Sequence, residues 1–219
     1  MSSCEGKTAL VTDGSRGIGK ATAIALAKAG AQVLVHYHRG AAQAGQVVSE
    51  IRGFGGRADT IGAAMSSADG PHELARRTRA IMGDRLDILV LNCACLEETP
   101  LATVTVENFD SQFTNNVRAP LFLIQQLLPI LGAGSSVVFT LASSSTERDA
   151  PACITTRGAI EALAAHLAST LAARGVRVNA LAHARSDAQD AALAITFLAS
   201  NEASSISGDT LRDDSLSQH

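Results

Sequence analysis

Aromatic residues are nearly missing from this chain. They make up 3% of its 219 residues, with no Trp and a single Tyr, Tyr37. So sparse a set excludes a stacking platform for single-stranded nucleic acid. Surplus positive charge is absent too: a formal net charge of -3 gives no electrostatic pull toward nucleic acid or an anionic membrane. No apolar run approaches the ~20 residues of a membrane span. The opening MSSCEGKTAL runs straight into a strand pattern, so no export signal is expected. Cysteine is scarce, four residues at irregular spacing, which points to a reducing, cytoplasmic setting rather than a disulfide framework. Cys93 and Cys95 lack further ligands at metal spacing, so no metal site is expected.

What is present is ordinary for one compact domain: 46% hydrophobic and 18% charged residues, enough for a single core over 1–219. There is no repeat or linker, and no low-complexity tract beyond Ser143–Ser145. Short apolar runs alternate with helical stretches. Strands are predicted at 7–12, 31–36, 57–63, 85–92, 135–141, 176–182 and near 209–212. Helices are predicted at 19–30, 41–55, 69–83, 106–131, 155–175 and 187–200, the first closed by Gly30 and the third opened by Asp69 and Pro71. Repeated βα units of this length imply an α/β fold, a Rossmann-type doubly wound parallel sheet with helices on both faces.

Between the first strand and its helix lies VTDGSRGIGK, residues 11–20. Gly14, Gly17 and Gly19 allow close backbone approach, and the helix start behind them favours a pyrophosphate. Alone, three glycines say little. They are joined in order by RADTIGA, DILVLNCA, NNVRAP, SSVVFT, RGAIEALAAHLA, GVRVNALA and FLAS followed by ISGDT. Along nearly its whole length the chain resembles the short-chain dehydrogenase/reductase family, its NADP-dependent ketoreductase-like members in particular, as a degenerate member. The resemblance implies a dinucleotide site at Gly14, Ser15, Arg16, Gly17, Ile18, Gly19, Arg39 and Asn92.

The family's turn reads Thr-Gly-x-x-x-Gly-x-Gly, and its first Gly falls at Asp13. Asp tolerates left-handed backbone, so this is either an accepted turn residue or a carboxylate repelling phosphate. At about 4 Å and an effective dielectric of 20, that repulsion is about 4 kcal/mol. NAD-preferring members carry an acid after the second strand. Here stand His36, Tyr37, His38 and Arg39, so NADP is the expected cofactor if any nicotinamide cofactor binds, its binding weakened or lost. Arg16 and Arg39 are either a clamp for a 2′-phosphate or solvated surface residues.

In the family a Tyr-x-x-x-Lys pair opens the helix after the fifth strand and supplies the proton and the ribose anchor. The matching pentad is CITTR, so Cys153 stands for Tyr and Arg157 for Lys. Cys is ~3–4 Å too short for the phenol's position, and Arg does not reproduce an ammonium's contacts. The catalytic Ser falls near Ala142 or Ser143, with Ser143 or Ser144 as substitutes. The family's Asn-Asn-Ala-Gly reads Leu91, Asn92, Cys93, Ala94. An adenine-contacting Asp falls at Ala64, and a Pro-Gly pair at His183 and Ala184. Asn116 is the catalytic-type residue kept, either in that role or as a helix-kink residue. The substrate lid, expected between about 183 and 187, is deleted, so no closed site is expected.

Three functions follow as expectations: a non-catalytic subunit or regulatory binder, a divergent NADP(H)-dependent oxidoreductase, or non-redox chemistry at a Cys153 thiolate activated by Arg157 and a helix start. The last lacks a histidine placed as its base. The family's dimer and tetramer helices correspond to 106–131 and 152–174. In the latter, Ala159, Ala162, Leu163 and His166 form a second small apolar face opposite Ile160, Leu167 and Leu171. A homodimer, a homotetramer or a mixed oligomer with an active relative is therefore expected, without nucleic acid or membrane partners.

Overall fold

The computed structural model of the protein describes residues 3–93, 98–142, 150–183 and 188–212. Its strands are β1 (Thr8–Val11), β2 (Gln32–Tyr37), β3 (Arg57–Gly62), β4 (Ile88–Cys93), β5 (Ser136–Ala142), β6 (Arg177–His183) and β7 (Thr210–Arg212). All pair in parallel, in the order β3-β2-β1-β4-β5-β6-β7. The helices are α1 (Gly17–Lys28), α2 (Ala41–Gly53), α3 (Gly70–Met82), α4 (Val106–Phe113), α5 (Ala119–Leu127), α6 (Pro151–Leu171) and α7 (Ala188–Ala199). The doubly wound sheet is as expected.

Strand alternation divides the core. Leu10, Leu34, Leu89, Phe139 and Val178 face one side and pack with Leu74 of α3, Leu123 of α5 and Ile160 and Leu167 of α6. Ala9, Val33, Val35, Val90 and Leu181 face the other, under Leu26 of α1, Val47 of α2 and Ile195 of α7. Both faces are covered, which is why the strands read as unbroken apolar runs.

Two elements depart from the sequence expectation. The helix predicted over 106–131 is α4 and α5 joined by a π-helical turn, Thr114–Arg118, and it ends at Leu127. The helix predicted from 155 starts at Pro151, because proline suits a first helical turn where no amide partner is needed. Between His183 and Ala188 only residues 184–187 connect β6 to α7.

Candidate functional site

Chain order reverses direction across the sheet at β1 and β4, and the crevice beyond their carboxyl ends is where such folds hold ligands. Here it is an open cleft of about 720 Å³. Its walls come from the β1–α1 turn (Thr12, Asp13, Ser15, Arg16), the end of β2 (His36, His38, Arg39), the β3–α3 loop (Met65, Ser66), Asn92 of β4, and Ser111, Asn115 and Asn116. Ser15, Arg16, Arg39 and Asn92, all expected at a cofactor site, therefore line it. Gly14, Gly17, Ile18 and Gly19 shape the turn behind.

Their roles differ. A Cβ at Gly19 would lie 2.3 Å from the Asp13 carbonyl and 2.4 Å from Asn92 Nδ2, so only glycine lets α1 start this close to β4. Gly17 has φ +50 and Asp13 φ +46; Asp13 is the one non-glycine residue in left-handed backbone among those described. The carboxylate of Asp13 is exposed on the cleft, where the turn geometry is thus kept and a charge added. Ile18 anchors the helix start against the α1-side core. Arg16 caps α1 through its extended backbone without a side-chain bond to the first turn, leaving its guanidinium exposed.

His36, in the sequence simply a residue that is not an acid, is part of the site. It is buried, and its Nδ1 accepts the Asp13 N–H at 3.2 Å. An amide can only donate, so Nδ1 carries no proton and Nε2–H donates to the Ala63 carbonyl at 3.1 Å. The His36 carbonyl also accepts the Gly14 N–H at 2.8 Å. One residue thus pins the first bend of the turn to β2 and β3. Burial pulls its pKa below the ordinary histidine value, against the opposing pull of the Ala63 bond and the Asp13 charge, with His38 adding to the lowering.

Asn92 lines the cleft but commits its carboxamide to the protein. Nδ2 donates to the Thr12 carbonyl at 2.7 Å and Oδ1 accepts Thr140 Oγ1 at 2.7 Å. Its backbone N–H donates to Thr12 Oγ1. These bonds tie β1, β4 and β5 together at their carboxyl ends, a linkage no local pattern signals.

The residues expected to carry chemistry gather elsewhere. Asn116 sits in the π-helical turn, buried, with Nδ2 donating to Gln112 Oε1 at 3.3 Å and its carbonyl accepting the Cys93 thiol at 3.6 Å. Burial drives that thiol's pKa far above the ordinary range, with the Asp13 charge adding to it. Asn116, Cys153 and Arg157 share a second cavity with Cys93, Leu141, Thr156 and Ile160, of only about 10 Å³. That is at or below the room one water needs. Arg157 Nε approaches Glu161 Oε1 at 4.0 Å, and Arg212 of β7 approaches the same oxygen at 3.8 Å.

Cys153 corrects one expectation. Its sulfur is disulfide-bonded, whereas Cys4 and Cys93 are free. A bonded sulfur has no proton to lose, so the structure holds no thiolate beside Arg157. Ser143 and Ser144 lie outside the described residues. His183, in the family's proline position, is buried at the end of β6. Among the described residues no cluster could hold a metal ion and no helix is long and apolar enough to cross a membrane.

Comparison with known proteins fits this geometry. The sequence profile of the short chain dehydrogenase family matches residues 7–191. An uncharacterized oxidoreductase of Methylorubrum extorquens is 38% identical over 182 residues, spanning 82% of this chain and 73% of the relative. A hydroxynaphthalene reductase of Aspergillus fumigatus is 34% identical over 182 residues, 82% of this chain and 66% of that one. Among solved structures, the promiscuous reductase LugOII, which catalyses keto-reduction at C1 in lugdunomycin biosynthesis, is similar with a TM-score of 0.89. It is 34% identical, and 97% of each chain is covered. The landomycin C-6 ketoreductase LanV, solved with NADP and rabelomycin, is similar with a TM-score of 0.88 at 32% identity, covering 97% of this chain and 96% of its own.

Proposed function

The chain belongs to the short-chain dehydrogenase family, and on that premise we propose that it is a non-catalytic NADP binder in which carbonyl reduction has been lost. The observation that carries this is the state of the catalytic-side cavity. At the positions where the family keeps its phenol and ammonium, this chain has a disulfide-bonded sulfur and a guanidinium near Glu161, beside a cavity of about 10 Å³.

The cleft suits part of the cofactor. Arg16 and Arg39 would hold a 2′-phosphate, which a planar guanidinium grips well. The uncapped first turn of α1 faces the same turn that Gly17 keeps open. Relatives solved with NADP support it as the ligand of this site, and its reduced form, when bound, would supply a hydride. What the chain's own residues lack is the partner step. Cys153 holds no proton to give, and Asn116 engages Gln112 within the fold. Losing a positioned general acid alone costs on the order of 10²–10⁴ in rate.

A divergent NADP(H)-dependent oxidoreductase is the second reading, favoured by the reductase relatives and by the presence of Asn116 on the cleft. Its proton would come from a water chain or a substrate group. Assaying NADPH consumption on a broad ketone and β-ketoacyl panel separates the two. We expect no measurable turnover; a rate above about 1 s⁻¹, ordinary for enzymes, establishes the second and overturns the first.

Assembly belongs to the same proposal. Val106, Phe109, Leu121 and Phe122 of α4 and α5, and Ile154 of α6, are exposed apolar side chains in a single chain. We propose that these helices pair with a second copy or an active relative, without nucleic acid or membrane partners, in the cytoplasm.

A further inference from the structure

We propose that His36 is the positioning residue of the β1–α1 turn and holds it only as the neutral Nε2–H tautomer, so that the cleft binds its dinucleotide in a proton-dependent way. This deepens the NADP-binder proposal and rests on it. Thr12 is the last residue before the bend still tied to the sheet, its N–H donating to the Val90 carbonyl at 3.0 Å. The next two amides both go to His36. Asp13 N–H donates to the ring Nδ1 at 3.2 Å, and Gly14 N–H to the His36 carbonyl at 2.8 Å. Those bonds fasten the bend where it is most constrained. Asp13 has φ +46, and a Cβ at Gly14 would lie 3.0 Å from the Val35 side chain and 3.1 Å from the Val11 carbonyl. The chain then enters the first turn of α1, which has no side-chain cap and whose amides are the phosphate ligands in a site of this kind.

The ring can accept the Asp13 amide in one protonation state only. Nε2–H donates to the Ala63 carbonyl at 3.1 Å, which leaves the Nδ1 lone pair for Asp13. An imidazolium carries hydrogen on both nitrogens, so its Nδ1–H would face the Asp13 N–H. Turning the ring over brings a carbon to that place, and the charged ring supplies no acceptor there. The groups around it are few. Asp13 of the turn favours the charged ring and His38 of the β2 end opposes it, while Arg16 and Arg39 line the same cleft. On the α3 side Arg77 is paired with Glu73 and reaches the Gly62 carbonyl, and Arg118 reaches the Ser66 carbonyl. Residues 8–12 and 60–67, from β1 and from β3 with the loop after it, bring no ionisable side chain. Burial of the ring outweighs the Asp13 attraction and pulls its pKa below the ordinary histidine value. Proton uptake and the formed turn therefore exclude one another.

Nitrogen NMR and calorimetry on the full-length chain, between about pH 7.5 and about pH 5, test this across the histidine range. In the wild type at the upper pH, His36 should show a bare Nδ1 and a protonated Nε2. As His36 titrates, the amide signals of Asp13 and Gly14 should move with it. Calorimetry with NADP⁺ then compares wild type with His36→Asn, whose side-chain oxygen accepts the Asp13 amide and does not titrate there. Protonation of His38 and of the 2′-phosphate, whose second pKa is about 6, is common to both proteins and cancels in the comparison. We expect the wild type to lose affinity relative to the variant from the pH of the His36 titration downward, approaching about tenfold per pH unit. At the upper pH, His36→Asn should bind NADP⁺ at least about fivefold tighter than His36→Leu, which leaves the amide without an acceptor. If wild type and His36→Asn share one pH profile, if the asparagine and leucine variants bind alike, or if His36 carries its proton on Nδ1, the proposal is overturned while the NADP-binder reading stands. If NADP⁺ binds at no pH, both fall together.

Discussion

Asp13 and His36 form one unit. The turn needs left-handed backbone at position 13, and aspartate pays a small conformational penalty there that glycine avoids. His36 holds that conformation by accepting the Asp13 amide. Asp13→Gly keeps the bend and removes the carboxylate. We expect NADPH to bind about fivefold or more tightly, since a charge pair 4 Å apart in water-like surroundings is worth about 1 kcal/mol. An unchanged dissociation constant would mean that the carboxylate points away from the phosphates. His36 makes the turn pH-sensitive. Its protonated ring would aim a second N–H at the Asp13 amide, so the native turn excludes the charged form. Its folded pKa is lowered, so the unfolded chain takes the proton first. The stabilisation is complete above about pH 6.5, the unfolded value, and is lost as pH falls below it. Asp13 and His38 are the charged or titratable groups acting on it. Melting curves at about pH 7.5 and about pH 5.5 should show a larger loss for the wild type than for His36→Asn, which bonds without titrating there. Equal losses would remove His36 from the account.

At the scale of elements, α6 holds the positions where the family keeps its proton donor and ribose anchor, and the β6–α7 connection is where it keeps its lid. The two cannot be repaired separately. Cys153→Tyr with Arg157→Lys restores the side-chain types on α6 but leaves residues 184–187 as the whole link from His183 to Ala188. Without closure over the substrate, water stays in the site and the reacting groups are not held together. We expect the double variant to remain below about 1 s⁻¹ on the same ketone panel. Turnover recovered to that level would show that closure is dispensable and that the side chains alone limit this fold. The π-helical turn is a separate matter. It places Asn116 between the cleft and the filled cavity, and π-bulges are often found at functional sites.

At the scale of the molecule, the remaining apolar surface decides association. α6 buries Ile160, Leu167 and Leu171 against the sheet, with Leu163 partly buried against the same core rather than on the outer face as expected, while Ala162 and His166 are exposed and Ala159 half-exposed on the other face. Phe109 of α4 and Leu121 and Phe122 of α5 are exposed as well. Self-complementary patches most often close as twofold dimers. Light scattering at micromolar concentration should therefore give at least twice the 22.6 kDa of one chain, and Phe122→Glu should lower that mass by burying a charge in the contact. A monomeric mass, with no relative co-purifying from the native host, would defeat the assembly proposal.

What the sequence determined by itself is local and periodic. Apolar runs, glycine turns and helix starts each depend on residues a few positions apart. That is why all seven strands, the β1–α1 turn and the short β6–α7 link were legible, with element ends shifted by a few residues. Ser15, Arg16 and Arg39 were legible for the same reason, being in or beside loops that any sheet of this order brings to one edge. Tertiary structure alone decided the rest. Asn92 joins Thr12 to Thr140 across three strands, His36 reaches both Asp13 and Ala63, and Cys153 is bonded rather than free. Such contacts pair residues tens of positions apart, through hydrogen bonds and covalent chemistry that leave no period in the chain. Whether a cavity is open at Asp13 or filled at Cys153 is likewise set by packing, because it depends on every wall at once.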